Sequence, residues 1–183
     1  MSDKQIVDSS FTAIINASIE KIDIPTWCST LPEKEYQGCS PAHIAAGFTT
    51  APDGTRMSIN VEMIGSGLVV QHYVAEEARP DYVRMNSISD VFTANGRTQV
   101  NVLWELIAED AGHGRTRYTN RVTARPTDVF LDFLGEHGIA LEDAAAARQA
   151  AGSDHNRRET PLFAESIARH ALARNAPAAE TAK

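Results

Sequence analysis

A histidine and a glutamate four positions apart, His155 and Glu159, are the pair in this sequence best spaced for metal chemistry. On an α-helix, residues at this spacing lie on one face, so both side chains could ligate the same zinc ion. Thr160-Pro161 follows directly and is typical of a helix N-terminus, which would leave the pair in the preceding loop without helical geometry. The sequence therefore predicts no metal, with zinc as the alternative.

A second set of polar side chains lies in segments that are otherwise apolar. His72 could serve as a general acid or base, because imidazole titrates near neutral pH. Tyr118 and Asn120 could hold a phenol or carbonyl oxygen of a substrate. In the alternative interpretation, His72 is a hydrogen-bonded core histidine and Tyr118 is an aromatic of the sheet.

Alternating Val, Ile, Thr and Tyr residues over positions 11–125 predict strands that position these side chains. Asp53-Gly54 and Asn95-Gly96 are hairpin turn signals. The turns predict one strand, two short helices and then six strands, most of them joined by short connections. A sheet built this way is antiparallel.

The composition changes after Pro126, where Ala, Arg, Glu and Leu predominate and favour helix. A helix is predicted over residues 128–136 and another over residues 141–151, with Gly152 as its stop. A last helix is predicted to begin at Thr160-Pro161. We expect a single ligand-binding domain over residues 8–174 and a disordered tail over residues 175–183.

Charge and composition exclude several function classes. There are 24 acidic and 17 basic residues, so the formal net charge is −7, which disfavours nucleic-acid binding. No segment reaches the roughly 18–20 apolar residues of a membrane-spanning helix, and the start lacks the pattern of a signal peptide. Cys28 and Cys39 fit no zinc or redox spacing. We expect a cytoplasmic protein with no membrane insertion, and whether it is a homodimer stays open.

This order of elements resembles the helix-grip fold of the START/Bet v1-like superfamily, also called SRPBCC or polyketide cyclase/dehydrase and lipid transport. Residues 31–43 are similar to the passage from helix to second strand in bacterial members, and residues 112–117 are similar to one of their turns. The resemblance implies an α+β fold in which a seven-stranded antiparallel curved sheet wraps around the C-terminal helix. Two short helices follow the first strand, and a cavity for an apolar or aromatic ligand lies between sheet and helix.

Strand alternation then predicts which side chains face that cavity, taking the more apolar face of each strand. A one-residue error in this assignment would reverse the face of a whole strand. In the third and fourth strands the inward residues are predicted to be Met57, Ile59, Val61 and Met63, and Leu68, Val70, His72 and Val74. In the last three strands they are Val83, Met85, Ser87, Ser89 and Val91; Val100, Val102, Trp104 and Leu106; and Tyr118, Asn120 and Val122. The predicted ligand contacts are Met85, Ser87, Val102, Trp104, Phe133, Phe163, Ile167 and His170.

The predicted function is binding of a small hydrophobic or aromatic, polyketide- or phenol-like molecule. The sequence leaves open whether the protein is a carrier or an enzyme. As an enzyme it would be an acid/base cyclase, dehydratase or lyase, with His72, Tyr118 and Asn120 as the catalytic residues. The alternative is a zinc-dependent carbon–carbon bond hydrolase similar to phloretin or diacetylphloroglucinol hydrolase. That resemblance implies a helical His-x3-Glu pair, His155 and Glu159, together with a His and a Glu from strands, here His72 and Glu105.

Overall fold

The computed structural model describes residues 5–174, and the tail predicted over residues 175–183 lies outside the described residues. The elements in chain order are β1 (Val7–Ile15), a 3₁₀ turn (Ile19–Lys21), α1 (Ile24–Cys28), α2 (Glu33–Gly38), β2 (His43–Thr50), β3 (Arg56–Ile64), β4 (Gly67–Arg79), β5 (Tyr82–Thr93), β6 (Gly96–Gly112), β7 (Arg115–Pro126), α3 (Asp128–Glu136) and α4 (Leu141–Arg174). Among the described residues, no helix combines the length and apolarity needed to cross a membrane.

The seven strands form one antiparallel sheet in the order β1-β7-β6-β5-β4-β3-β2. Short turns join β3 through β7, and the Asn95-Gly96 turn places Gly96 at φ 125°, where a side chain would be strained. Helix α4 packs along the concave side of the sheet, chiefly against β1. The predicted helix-grip architecture with seven strands and two short helices after β1 is confirmed.

The predicted inward faces of β5, β6 and β7 are correct. Val83, Met85 and Val91 of β5 and Val102 and Leu106 of β6 are buried, as their alternation indicates. Tyr118 and Asn120 of β7 are completely buried. On these strands the more apolar face is the one that covers the interior, so the rule of choosing the more apolar face gives the correct assignment.

The predicted inward faces of β3 and β4 are wrong. The residues that point inward are the alternate ones, Ser58, Asn60 and Glu62 in β3 and Val69, Gln71 and Tyr73 in β4. His72 and the other predicted residues of these two strands therefore lie on the outer face. The rule fails because the inward face of this region carries the polar side chains, which leaves the outer face the more apolar of the two.

The predicted break between residues 151 and 160 is also wrong, because α4 is one continuous helix of 34 residues. Gly152 allows α4 to pack closely against Val7 of β1, because a Cβ at this position would lie only 3.2 Å from Val7 Cγ1. Pro161 lies inside the helix, where it cannot donate to the carbonyl of Arg157. Its neighbours Glu159, Thr160 and Phe163 are all buried, and this tertiary packing offsets the cost of proline in a helix interior.

Candidate metal centre

Two histidines and two glutamates from three elements converge inside the molecule. His43 begins β2 and lies opposite Glu62 of β3, while His155 and Glu159 are one turn apart on α4. His43 Nε2 and His155 Nε2 are each 3.1 Å from Glu159 Oε2. Glu62 is slightly farther away, with Oε1 3.7 Å from His43 Nε2 and Oε2 3.6 Å from His155 Nε2. All four residues are buried.

The His43 ring is held in one orientation by α2 and the loop after it. Its Nδ1 lies 2.7 Å from the backbone carbonyl oxygen of Tyr36, so Nδ1 carries a proton and donates it there. The Tyr36 ring stacks on the imidazole, with centroids 3.9 Å apart and planes 4° apart. In the neutral ring this tautomer aims the Nε2 lone pair at carboxylate oxygens. A lone pair facing a carboxylate at 3.1 Å needs a proton or a metal cation between the two atoms.

His155 lacks a hydrogen bond despite its burial. Within residues 5–174, neither Nδ1 nor Nε2 of this ring has a hydrogen-bond partner, and the nearest carboxylate oxygen to Nε2 is Glu159 Oε2 at 3.1 Å. Buried polar atoms are nearly always satisfied in folded proteins. An unsatisfied imidazole facing two carboxylates fits a cation-binding position.

Glu159 is oriented by a chain of side-chain hydrogen bonds. Its Oε1 accepts from Asn120 Nδ2 at 3.0 Å, and Asn120 Oδ1 accepts from Trp104 Nε1 at 2.8 Å. Asn156, also on α4, donates from Nδ2 to Ser9 Oγ at 2.9 Å and to the Asn120 carbonyl at 3.2 Å. These bonds leave Oε2 of Glu159 directed at the two histidines.

The protonation states in the cluster are unequal. Burial lowers the pKa of His155, but Glu159 and Glu62 outweigh burial and raise it to about 9. Burial raises the pKa of Glu159, but His155 and His43 outweigh it and lower the value to about 2. The pKa of Glu62 is raised, chiefly by burial, although the hydroxyl of Tyr36 donates a hydrogen bond to its Oε1. A proton on His155 thus compensates Glu159 at neutral pH, in the place where a metal ion would supply the charge.

A cavity of about 520 Å³ adjoins the cluster. Glu62, His155 and Glu159 line it, and His43 lies immediately behind them. Its walls are mostly apolar and include Val100, Val102, Trp104, Val122, Phe130, Phe133, Leu134 and Phe163. Exposed turn residues Gly65, Ser66 and Asn95 line the opposite part, so the cavity opens to solvent there. A buried polar centre with apolar walls is typical of a small-molecule site.

The structure separates His72 from this cavity. Its half-exposed side chain lies on the outer face of β4, with Nε2 3.7 Å from Asp90 Oδ2. Glu105 is also on the outer face, where it accepts from Tyr82 Oη at 2.8 Å and lies 3.7 Å from Arg121. The expectation that these two residues complete a metal site with His155 and Glu159 is wrong, because both strand positions face away from α4.

The other predicted site residues divide into three groups. Val102, Trp104, Phe133 and Phe163 line the cavity. Met85, Ser87, Tyr118, Asn120 and Ile167 are buried without lining it; Ser87 Oγ accepts from the His72 backbone N–H at 2.9 Å. His170 is half-buried near the C-terminal end of α4 and also lies outside the lining.

The sequence analysis missed His43, Glu62 and Tyr36. One signal was available: Glu62 is a lone carboxylate in the middle of an apolar strand, between Val61 and Met63. A carboxylate in such a strand is either on a solvated face or paired inside. No comparable signal marked His43 or Tyr36.

Comparisons of the sequence find no matching family model and no match among curated proteins. Solved structures match at the level of the fold. The Zhui aromatase/cyclase from Streptomyces sp. R1128 has a TM-score of 0.62 and 11% identity, over 91% of this chain and 94% of that chain. The di-domain aromatase/cyclase StfQ of the steffimycin pathway has a TM-score of 0.57 and 12% identity, over 92% of this chain and 53% of that chain.

A third match is a protein from Thermus thermophilus, with a TM-score of 0.53 and 11% identity over 92% of this chain and 99% of that chain. Identities this low carry information on the fold and not on the activity. Together with the element order and the curved sheet that packs around α4, they show that this chain has a helix-grip fold.

Proposed function

We propose that the protein is a metal-dependent hydrolase that cleaves a carbon–carbon bond in a small acylated aromatic molecule. The observation that carries this proposal is the convergence of His43, Glu62, His155 and Glu159 beside an apolar cavity. His43, His155 and Glu159 would hold the metal, since one ligand atom of each lies within 4.8 Å of the other two. Glu62 adds a fourth donor at slightly greater distance.

The donor set fits zinc. Imidazole nitrogens and carboxylate oxygens are common zinc ligands, and two histidines with a glutamate recur in zinc hydrolases. The set also has the composition that the resemblance to phloretin and diacetylphloroglucinol hydrolases implies, with His43 and Glu62 as the strand residues in place of His72 and Glu105. A zinc ion bound here would polarise a substrate carbonyl and lower the pKa of water.

The surrounding residues would orient these donors and exclude water. Asn120 holds Oε1 of Glu159 and so fixes Oε2, and Tyr36 holds both the His43 ring and Oε1 of Glu62. Partners of this kind set ligand orientation and basicity in metal sites. The apolar walls, which include Trp104 and Phe163, strengthen charge interactions at the centre because they keep bulk water away. In the proposed reaction, the bond between the acyl carbon and the aromatic ring carbon breaks. The hydroxyl of a water molecule joins the acyl carbon, and the proton of that water joins the ring carbon.

The test is metal retention by variants, measured by native mass spectrometry after zinc loading and removal of free metal. We expect one zinc per wild-type chain and loss of that zinc in His43→Ala and Glu159→Ala. His72→Ala is the matched control, because it removes a histidine from the outer face of the same sheet. If the His43 and Glu159 variants retain zinc as well as the His72 variant does, the centre is not a metal site.

Turnover supplies the second part of the test. Acylphloroglucinols should release a carboxylic acid when incubated with zinc-loaded protein, and a chelator should abolish the release. Turnover that persists in chelator would instead favour a metal-free cyclase or lyase. His155 supports that second candidate, since a pKa of about 9 makes its ring a proton donor at neutral pH.

A further inference from the structure

Among the described residues that line the cavity, one arginine makes no salt bridge. Arg148 of α4 places its guanidinium carbon 4.8 Å from the centroid of the Phe130 ring, and both residues line the cavity. Within residues 5–174, no carboxylate lies within salt-bridge distance of this guanidinium. The other arginines of α4 whose side chains are described, Arg157, Arg158 and Arg169, all pair with acids.

Arg148 shares a helix face with the candidate metal centre. It precedes His155 by seven residues, so the two side chains point the same way and are about 10 Å apart along the helix axis. Ala151, one turn from Arg148, packs against the turn at Gly65, where the cavity opens to solvent. Arg148 is half-buried whereas His155 is buried, so Arg148 lies nearer to solvent and His155 lies deeper in the cavity.

The part of α4 that lines the cavity around these two residues carries mostly small side chains. Ala151 and Gly152 lie between Arg148 and His155, and Ala144 and Ala147 lie just before Arg148, so α4 leaves space for a ligand that extends along it. The facing walls are the apolar side chains of β6, β7 and α3. A ligand in this space meets charge at its two ends and apolar surface between them.

Arg148 is also partly removed from water. Burial lowers the pKa of its guanidinium from the ordinary value, although arginine remains charged at neutral pH. A partly desolvated cation gains most from a neighbouring anion, and arginine pairs best with a planar carboxylate through two parallel hydrogen bonds. The net charge of −7 gives the chain no general attraction for anions, so selection of an anion would be local to this position.

We propose that the cavity binds an elongated apolar or aromatic anion whose carboxylate or similar group pairs with Arg148. The reacting carbonyl would then lie at the His–Glu cluster, about 10 Å farther along the helix. Only this second statement rests on the proposed function. The anion subsite stands on the position of Arg148 and does not require the metal.

The test compares two dyes that share a skeleton and differ in charge: anilinonaphthalene sulfonate and the uncharged phenylnaphthylamine. Their affinities are measured by fluorescence titration on protein freed of metal with chelator. We expect Arg148→Met to weaken binding of the sulfonate by about tenfold or more, because a charge-assisted contact is lost. Binding of the uncharged dye should change by less than about twofold, and Arg148→Lys should retain most of the preference for the sulfonate.

Arg157→Met is the matched control, since it makes the same substitution on the outer side of the same helix, where Arg157 pairs with Asp154 at 2.7 Å. Equal weakening of both dyes in Arg148→Met, or no weakening of either, would overturn the anion subsite. Because metal is absent from this titration, a failed zinc test leaves its result unchanged. Zinc retention with no charge preference at Arg148 would overturn the subsite and leave the hydrolase proposal standing.

Discussion

The two halves of the sheet use their inward faces differently. Strands β5, β6 and β7 turn mostly apolar residues inward, whereas β3 turns Ser58, Asn60 and Glu62 inward and β2 begins with the buried His43. One half is a wall that stabilises the fold, and the other holds polar groups that need partners when buried. The difference teaches that the more apolar face of a strand is not the inward face where buried polar side chains, such as Asn60, Glu62 and Gln71, line the interior.

The largest expected effect is on stability in the apolar half. Leu106 of β6 is completely buried, so Leu106→Ala should lower the free energy of unfolding by about 2–5 kcal/mol. Glu62→Gln in the polar half should change it by less than about 1 kcal/mol, because the amide can still accept the Tyr36 hydrogen bond. Denaturant unfolding of both metal-free variants makes the comparison. Similar losses in both would mean that the two halves contribute alike.

The second prediction concerns zinc affinity, which should depend on the polar half of the sheet more than on the apolar half. Glu62→Gln should weaken zinc binding by at least about tenfold, since it removes a negative donor from the cluster. Leu106→Ala should leave the affinity within about threefold at temperatures where the variant is folded. Competition with a chromophoric chelator gives both values. Unchanged affinity in Glu62→Gln would remove Glu62 from the set of donors.

The third effect is the pH dependence of the polar half. The pKa of His155 is raised from 6.5 to about 9, so its ion pair stabilises the metal-free protein fully below pH 6.5 and this contribution is lost as pH rises through about 9. The pKa of Glu159 is lowered from 4.5 to about 2, so its contribution is present above pH 4.5 and is lost as pH falls toward 2.

Zinc binding should show the opposite trend on the alkaline side. His155 must lose its proton to bind metal, so zinc affinity should rise about tenfold per pH unit from neutral pH to about 9 and then level off. Calorimetry in buffers of different ionisation enthalpy would count the proton released. His72→Ala should show the same rise of zinc affinity with pH. If the zinc affinity of the wild-type protein does not change between neutral pH and about 9, His155 is not a ligand.

The smallest effect is expected on the outer face. His72→Ala removes only a half-exposed side chain 3.7 Å from Asp90, so unfolding free energy should change by less than about 1 kcal/mol. Turnover of any substrate found for the cavity should stay within about twofold of the wild-type rate. A large loss of turnover would restore the acid/base role predicted for His72 from the sequence.

The sequence predicted the elements well because their signals are local. The Asn95-Gly96 turn, the alternation in β5 to β7 and the apolar stripe of α3 each lie within a few neighbouring residues. The helix break was predicted wrongly for the same reason. Gly152 and Pro161 are local stop signals, and only the packing of Gly152 on Val7 and the burial of Thr160 show why the helix continues.

The candidate site could be predicted only in part. The sequence contained the His155–Glu159 pair, and the resemblance implied that a His and a Glu from strands would join it. Their identity depends on the face of β3 and on where β2 begins, and His43 lies 116 residues from the Glu159 that it contacts. Composition and alternation by themselves determined an antiparallel sheet followed by a helical region, and the resemblance implied that the sheet wraps around the last helix. Which polar side chains meet inside was decided by the tertiary structure, because side-chain convergence depends on strand register and helix continuity across the whole fold.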